Sequence, residues 1–327
     1  RRLPAAVSSL AGVVREGGIQ LTWSIPQRRV DGSRLIDPGL TRVFRVEDAG
    51  EGEPRAALLV DDRVAGYTEI ATIRLAEPPS PLVQGSRVSY VDRRGLTPDR
   101  RYTYVVVTTD AQGRTSPPSR RLSVRFVATP LAPAGLRAEP GDREVRLSWQ
   151  PPARLSDGSA VSGPLAYEVL RAPAADAPLA VVTRTAPGVT TAVDRGLEND
   201  HTYHYAVRAL RQEGETLAEG EPTASVAVTP LDVTPPSPPG NLVAIPSEGT
   251  VRLSWTPSPE PDVAGYVVYR AAADGVFVRV GGVRVPGTTF TDRDVPAGTY
   301  RYAVTAQDAS ARANESRRSA EASVTVP

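Results

Sequence analysis

Cysteine, methionine and lysine are all missing from this 327-residue sequence. Without cysteine the chain forms no disulfide, offers no thiolate nucleophile and holds no cysteine-ligated metal. It begins on Arg1-Arg2 rather than methionine, which fits a mature secreted protein whose leader has been removed. All 38 basic residues are arginine. Codon bias in a GC-rich bacterial genome explains this better than selection for bidentate pairing does.

Net charge of one sign and long apolar runs are lacking too. The 38 basic and 37 acidic residues leave a net charge of +1, and the two signs are mixed along the chain. This balance argues against binding to nucleic acid or to an anionic membrane surface. No apolar run reaches the roughly 18 residues of a membrane span. Hydrophobic residues nevertheless make up 40% of the chain, enough to build the cores of two or three domains.

The three tryptophans reveal an internal repeat. Each one closes the same short phrase, at 19–23, 145–149 and 251–255, in which apolar and polar residues alternate. Alternation of this kind predicts a strand with one buried face. Each phrase runs into a proline, at Pro26, Pro151 and Pro257. Because proline lacks the N–H donor that a β-ladder needs, we expect each strand to end there.

A second phrase recurs later in each repeat and carries two tyrosines one residue apart. These are Tyr102 and Tyr104, Tyr203 and Tyr205, and Tyr300 and Tyr302. The period of two again predicts a strand, with the aromatic rings on one face. Before it come a turn and, earlier still, an aspartate at equivalent points of all three repeats: Asp92, Asp194 and Asp292.

The spacing of these phrases predicts three domains of roughly a hundred residues each. We place them at 1–130, with an insertion around 47–84, at 131–231 and at 232–327. Proline-rich segments at 129–133 and 229–239 join them, and such segments behave as semi-rigid spacers. No segment shows a sustained i, i+3, i+4 apolar pattern, so we expect almost no helix.

These motifs resemble the fibronectin type III family. The resemblance implies that each tryptophan packs between two sheets and that the first tyrosine of each pair forms a tyrosine corner, its hydroxyl bonded back to upstream backbone. The interval from Leu96 to Tyr102 fits this, as does that from Leu197 to Tyr203. The interval from Val295 to Tyr300 is one residue shorter. The implied fold class is all-β, with three tandem immunoglobulin-like (fibronectin type III) β-sandwiches, the first enlarged by an insertion.

The insertion at 47–84 follows a strand predicted at 41–46. We interpret it as lengthened strands with an elaborated hairpin, because its apolar stretches are unlike disordered chain. Two hypotheses remain open: the strands simply extend the same sheet, or the elaborated edge contacts a partner. The Asp-Gly-Ser loops at 31–33 and 157–159 are best explained as a shared turn, although end loops are also where binding sites tend to lie.

A search for catalytic and metal-binding chemistry assigns no residue. We expect His201 and His204 to lie on opposite faces of a strand entry and to form no chelating pair. The repeated aspartates fit turn or strand-end hydrogen bonding, since a catalytic residue would be unique to one repeat. Asp48, Asp61 and Asp62 carry oxygen ligands but lack the regular spacing of a calcium loop. Catalytic, cofactor-binding and metal residues are therefore predicted as none, with no cofactor.

Two other site types have little support. The sequence 314–316 is a formal glycosylation sequon, to which we assign no role in a bacterial protein. Aromatic residues are 6% of the chain; most are assigned to the cores, and we single out Phe44, Tyr67 and Phe277 as left over. A carbohydrate-binding platform would need more exposed aromatic rings than that.

The sequence therefore predicts a non-enzymatic, extracytoplasmic bacterial protein that binds or spaces other proteins of the cell envelope or surface. A lipid anchor upstream of residue 1 is compatible with this, and a glycan is a second candidate partner. One alternative is the accessory region of a secreted glycan-degrading enzyme, and another is the structural subunit of a surface filament. The sequence does not identify the partner.

Overall fold

The computed structural model describes residues 2–76 and 80–327, and within them every regular element is a β-strand. The strands of the first repeat are β1 (Ser8–Arg15), β2 (Gly18–Ser24), β3 (Pro38–Asp48), β4 (Leu59–Val60), β5 (Arg63–Val64), β6 (Thr68–Arg74), β7 (Val83–Gln84), β8 (Arg87–Asp92), β9 (Arg101–Asp110) and β10 (Leu122–Arg125).

The later repeats follow the same plan. The second contains β11 (Ala134–Gly141), β12 (Glu144–Gln150), β13 (Ala166–Ala172), β14 (Ala180–Arg184), β15 (Thr191–Arg195), β16 (Tyr203–Glu213), β17 (Thr216–Glu219) and β18 (Val226–Val228). The third contains β19 (Gly240–Ser247), β20 (Thr250–Thr256), β21 (Val263–Ala272), β22 (Val278–Arg284), β23 (Thr289–Arg293), β24 (Gly298–Asp308) and β25 (Ala322–Val326).

The tryptophan phrases form the second strand of each repeat. In β2, Ile19, Leu21 and Trp23 are completely buried while the residues between them are not. Trp149 and Trp255 are likewise buried in β12 and β20. All three strands end before their proline, as the missing N–H donor requires. The prediction that the tryptophans lie in the sandwich cores is therefore confirmed.

By packing, the chain divides into two compact units. The first runs through Ala138 and adds Leu147–Ala192 and Tyr203–Ala227, and the second consists of Glu139–Arg146, Val193–Thr202 and Val228–Pro327. This division is coarser than the three repeats. The domain boundaries at 130/131 and 231/232 stay predictions.

In the first unit, the first sandwich is built from the strand orders β10-β9-β3-β6 and β1-β2-β8-β7. Its core surrounds Trp23 and includes Tyr102 and Tyr104. The second sheet does not end at β1, because β1 pairs in parallel with β17 of the second repeat. One nine-stranded sheet therefore runs in the order β14-β13-β16-β17-β1-β2-β8-β7, with β18 also on β16.

In the second unit, the third sandwich packs the order β19-β20-β23 against β22-β21-β24-β25. Its core surrounds Trp255, which meets Tyr266 edge-to-face at a centroid distance of 5.5 Å. The second repeat divides its strands in the same way, with β11-β12-β15 in one sheet and β14-β13-β16-β17 in the other. Each repeat thus has the two-sheet plan of a fibronectin type III domain, and the predicted fold class is confirmed.

The tyrosine corners are present in the first and third repeats. The Tyr102 hydroxyl accepts the Thr97 N–H at 2.6 Å and lies 3.4 Å from the Gly95 carbonyl oxygen. The Tyr300 hydroxyl donates to the Pro296 carbonyl at 2.8 Å. The interval before Tyr300, one residue shorter, therefore still allows its hydroxyl to bond back to the turn.

Candidate functional site

The insertion of the first repeat covers the outer face of a sheet. Between β3 and β6, the hairpin of β4 and β5 folds back and brings Val64 onto Phe44, Val105 and Val107. These four side chains are at most 1% exposed and form a second small core. The predicted elaborated hairpin is confirmed for this part of the insertion, whereas residues 77–79 lie outside the described residues.

Two of the aromatic residues left over from the core phrases belong to this second core. Phe44 is 1% exposed, and Arg42 lies over its ring at 5.5 Å. Tyr67 packs against the same cluster, and its hydroxyl donates to the Arg55 carbonyl at 2.5 Å. Neither ring is available as part of a sugar-binding platform, because such a platform needs exposed faces.

The carboxylates of the insertion are held by arginines. Asp61 and Asp62 both have positive φ angles, 48° and 64°, and form the tight turn between β4 and β5. Asp62 forms an ion pair with Arg42 at 3.1 Å. Asp48 accepts two hydrogen bonds from Arg101, at 2.8 and 2.9 Å. That arginine is the main cause of the lowered pKa of Asp48.

The outer side of the same hairpin is apolar and exposed. Leu58 is 63% exposed, Leu59 36% and Val60 53%. The hairpin is ordered, as the apolar character of these residues indicated, but only Val64 and its neighbours in the second core are buried. Consecutive exposed apolar residues of this kind are candidates for contact with another protein.

The Asp-Gly-Ser loops are turns of one type in the first two repeats. The Ser33 N–H and hydroxyl both donate to Asp31 Oδ1, at 3.0 and 2.5 Å. Ser159 does the same to Asp157 Oδ1, at 2.9 and 2.6 Å. The serine hydroxyl is the main cause of the lowered pKa in both aspartates. This geometry is that of an Asx-turn, the shared turn expected for these loops.

The repeated aspartate is the centre of a buried polar cluster. Asp92 is fully buried, and its Oδ2 accepts the Tyr104 hydroxyl at 2.5 Å and Arg45 at 2.9 Å. Its Oδ1 accepts the Arg94 N–H at 3.0 Å, the turn bond that the sequence predicted. Desolvation by burial, together with this carboxylate, raises the pKa of Tyr104 far above the ordinary value for tyrosine.

The third repeat builds the same cluster. Asp292 Oδ2 accepts the Tyr302 hydroxyl at 2.7 Å and Arg270 at 2.9 Å, while Arg270 stacks over Tyr300 at 5.5 Å. A cluster that recurs with the same partners in two repeats has a structural role. The sequence predicted only turn or strand-end hydrogen bonds for these aspartates. Asp92 and Asp292 also bind an arginine and a tyrosine, so their structural role is larger than predicted.

The two histidines occupy different environments. His201 is exposed and precedes β16, whereas His204 lies within β16 opposite Ala172 and is half-buried. Neither belongs to the only group of three metal-capable side chains found among the described residues. Phe277 is half-buried, with the guanidinium groups of Arg301 and Arg318 at 5.0 and 4.5 Å from its ring centroid.

The junction between the first two repeats was not predicted from the sequence. Its centre is the parallel pairing of Val14 in β1 with Ala218 in β17. Ala218 is completely buried and belongs to the core of the first sandwich, although it is supplied by the second repeat. Thr216 is 6% exposed, and its hydroxyl oxygen accepts the Arg125 N–H of β10 at 3.0 Å.

Charged side chains form ion pairs and a hydrogen bond around this junction. Glu219 lies 3.6 Å from the Arg15 guanidinium and 3.7 Å from that of Arg208. Arg211 donates to the Ala128 carbonyl at 3.0 Å, at the start of the segment that links the repeats. The linker was expected to act as a semi-rigid spacer, but this junction is held by a continuous sheet and a shared core.

Comparisons with known proteins point to glycan-degrading enzymes of one bacterium. The chain is 31% identical over 288 residues to exoglucanase B of Cellulomonas fimi, covering 81% of this chain and 23% of that protein. It is 30% identical over 261 residues to endoglucanase B of Cellulomonas fimi, covering 75% of this chain and 23% of that protein. The chain thus spans about a quarter of the length of these two relatives.

Other comparisons add less. No protein-family model matches the chain. The FN1-FN3 domains of chicken CNTN1 align over 99% of both chains, with 19% identity and a TM-score of 0.30. Within the described residues, no helix is long and apolar enough to cross a membrane.

Proposed function

We propose that this chain is a non-catalytic accessory and spacer region of a secreted bacterial glycan-degrading enzyme. One observation carries the proposal: 81% of the chain aligns with exoglucanase B, yet it covers only 23% of that protein. An alignment that fills the short chain and a small part of the long one is expected when a module is shared. The second relative, endoglucanase B, shows the same proportions.

The described structure supports a spacer role. A spacer must transmit position, and this requires junctions that resist bending. Here the first two repeats share a nine-stranded sheet, and Ala218 of one lies in the core of the other. The repeated aspartates, whose repetition argued against a catalytic role, are bound by tyrosine and arginine in two repeats.

Assays with the full chain test the proposal. We expect no release of reducing ends from carboxymethyl cellulose or mixed-linkage β-glucan. The coding sequence around residues 1–327 should also encode a catalytic module in the same reading frame. Hydrolysis that stays with the chain through purification would contradict the non-catalytic assignment. A gene that encodes these repeats and no hydrolase would contradict the assignment to a glycan-degrading enzyme.

A second candidate function is a binding protein of the cell envelope that contacts other proteins through the insertion. The exposed Leu58, Leu59 and Val60 favour it, because they are three consecutive apolar residues that the second core leaves uncovered. In a pull-down from native membranes, a Leu58→Asp/Val60→Asp variant should lose its partner. Val181→Asp is the matched control, since Val181 is a 47% exposed strand residue of the second repeat. Equal partner recovery by both variants would exclude this candidate.

A further inference from the structure

Three carboxylates meet at one end of the third sandwich. Asp262 directly precedes β21, Asp308 ends β24, and Asp232 lies in the segment before β19. One oxygen from each lies within 4.8 Å of those of the other two. No ion pair within 4.0 Å joins any of the three to an arginine of the described residues, although Arg143 lines the adjacent cavity of about 600 Å³.

Asp232 has less compensation than a buried carboxylate needs. It is only 7% exposed, and its one hydrogen bond from the described residues is the Thr234 N–H on Oδ1, at 2.9 Å. Its carboxylate also faces that of Asp262, close enough for a hydrogen bond when one of the two is protonated, and that of Asp308. Burial first, and then the neighbouring carboxylates, raise the pKa of Asp232. A buried charge of this kind is costly unless it is paired or coordinates a metal.

The first sandwich shows how the equivalent position is filled there. Asp37 directly precedes β3 and Asp110 ends β9, and the Ala111 N–H bonds the Asp37 carbonyl just as the Ala309 N–H bonds that of Asp262. Between these two carboxylates lies a cation, the guanidinium of Arg29. Its nitrogens are 2.7 Å from Asp37 and 2.8 Å from Asp110.

The third sandwich keeps both carboxylates but not the arginine. Its corresponding loop, residues 257–262, contains no basic residue. A third carboxylate, that of Asp232, lies beside the pair instead. Glu260 of the same loop lines the cavity, and its Oε2 is buried without a hydrogen-bond partner. The position that the Arg29 guanidinium occupies in the first sandwich is therefore surrounded by additional carboxylates in the third.

From this arrangement we infer that Asp232, Asp262 and Asp308 bind a calcium ion. Calcium is a hard cation that takes oxygen ligands at about 2.3–2.6 Å. The three oxygens lie within 4.8 Å of one another, so all of them can reach one calcium ion at that distance. Magnesium demands about 2.0–2.1 Å and a near-ideal octahedron and usually keeps several of its waters, so we expect it to bind three carboxylates of this kind more weakly.

The ion ties the segment before β19 to the two loops of the third sandwich. The Asp232 carbonyl already accepts the Asn314 side chain at 2.7 Å, and the same amide donates to Asp308 at 2.9 Å. The side chain of Asn314, the first residue of the formal sequon, is thus already hydrogen-bonded within the third sandwich. Calcium would add a charged link where only hydrogen bonds now hold Asp232 in place. This inference is independent of the proposed function.

Calorimetric titration of the full chain, after removal of divalent ions with a chelator, tests the site. We expect one saturable calcium site per chain, with a dissociation constant on the order of 10⁻⁴ to 10⁻³ M, as in extracellular modules. Magnesium should bind at least about ten-fold more weakly. Calcium should also raise the midpoint of thermal unfolding, since a ligand that binds only the folded state stabilises it.

Asp262→Asn is the main variant, because Asp262 is exposed and its side chain interacts with the Asp232 carboxylate of the same cluster. It should weaken calcium binding about ten-fold or more and abolish the thermal shift. Asp37→Asn, the equivalent change in the first sandwich, should leave calcium binding unchanged. Asp232→Asn should also lose the calcium response, yet raise the unfolding midpoint of the calcium-free chain, because it removes a buried charge.

Three results would overturn the inference. They are no saturable binding up to about 10 mM calcium, equal affinity in the wild type and Asp262→Asn, or a magnesium affinity matching that of calcium. Unfolding of Asp232→Asn below the wild-type midpoint without calcium would contradict the account of its buried charge. None of these outcomes depends on whether the chain belongs to an enzyme.

Discussion

The junction between the first two repeats should be weakened by the removal of one hydroxyl group. Thr216 Oγ1 accepts the Arg125 N–H across the junction at 3.0 Å, and Thr216 is 6% exposed. Thr216→Val keeps the shape of the side chain and its β-branching but removes the acceptor. The Arg125 N–H is then left without a partner at the edge of β10.

The expected effect follows from the environment of that N–H group. A buried donor that loses its only partner destabilises the fold by about 1–3 kcal/mol. Arg125 is half-buried, so water can partly replace the bond, and we expect about 1–1.5 kcal/mol. Thr216→Ser retains the hydroxyl and loses only a methyl group, so it should recover most of that difference.

Urea unfolding followed by tryptophan fluorescence measures this change. We expect Thr216→Val to lower the urea midpoint of the transition that unfolds the first sandwich, although the substitution lies in the second repeat. The slope of that transition should stay unchanged if the folded and unfolded states expose the same surface. An effect confined to the second repeat, or equal loss in Thr216→Ser, would refute the claim that the hydroxyl bridges the two sandwiches.

Two further predictions concern buried groups within single sandwiches. Burial alone would raise the pKa of Asp110, but hydrogen bonds from Arg29 and Arg114 outweigh it and hold the pKa at about 2. Because this value lies below that of the unfolded chain, the ionised carboxylate stabilises the fold above about pH 4 by about 2 kcal/mol, and that contribution is lost as the pH falls towards 2. In urea titrations, Asp110→Asn should therefore lower the free energy of unfolding at pH 7 and flatten the decline of that free energy between about pH 4 and 2. A decline as steep as that of the wild type would contradict this. The indole N–H of Trp255 is buried without a hydrogen-bond partner, so Trp255→Phe should destabilise the fold less than the about 3–5 kcal/mol of Trp255→Ala. Thermal unfolding compares the two variants, and equal losses would contradict this prediction.

Strands, cores and repeats were predictable because they depend on local pattern. The alternation in 19–23 places Trp23 inward whatever the rest of the chain does. The prolines mark strand ends for an equally local reason, the missing donor. The tyrosine corners followed from the resemblance, and the shorter interval before Tyr300 proved compatible with a bond to Pro296.

Features that depend on pairing between distant segments were not predictable. β17 alternates buried and half-buried residues, as an ordinary edge strand would, and nothing local identifies β1 as its neighbour. Phe44 looked like a surplus aromatic residue, since the hairpin that covers it comes later in the chain. Both features arise from tertiary packing, which the alternation of a single strand does not encode.

The carboxylates show the same division. Their repetition indicated a structural role for Asp92 and Asp292, but the arginines that bind them lie in another strand. A short Val-x-Arg phrase at 43–45, 169–171 and 268–270 marks that strand in each repeat, but its connection to the aspartates was not predicted. Asp232, Asp262 and Asp308 are far apart in sequence and lack the regular spacing of a calcium loop. Only the fold brings them together.

The central claim is that the first two repeats form one rigid body, as a spacer requires. Spin labels at Arg87→Cys in β8 and Ala180→Cys in β14 test it most directly, since both positions are exposed strand residues of the shared sheet. The chain has no other cysteine, so the labels attach only there. Double electron–electron resonance should give one narrow distribution of the distance between the two labels. That distribution should broaden when Ala218→Asp places a charge in the buried junction. A broad distribution in the unaltered chain, unchanged by Ala218→Asp, would contradict the claim.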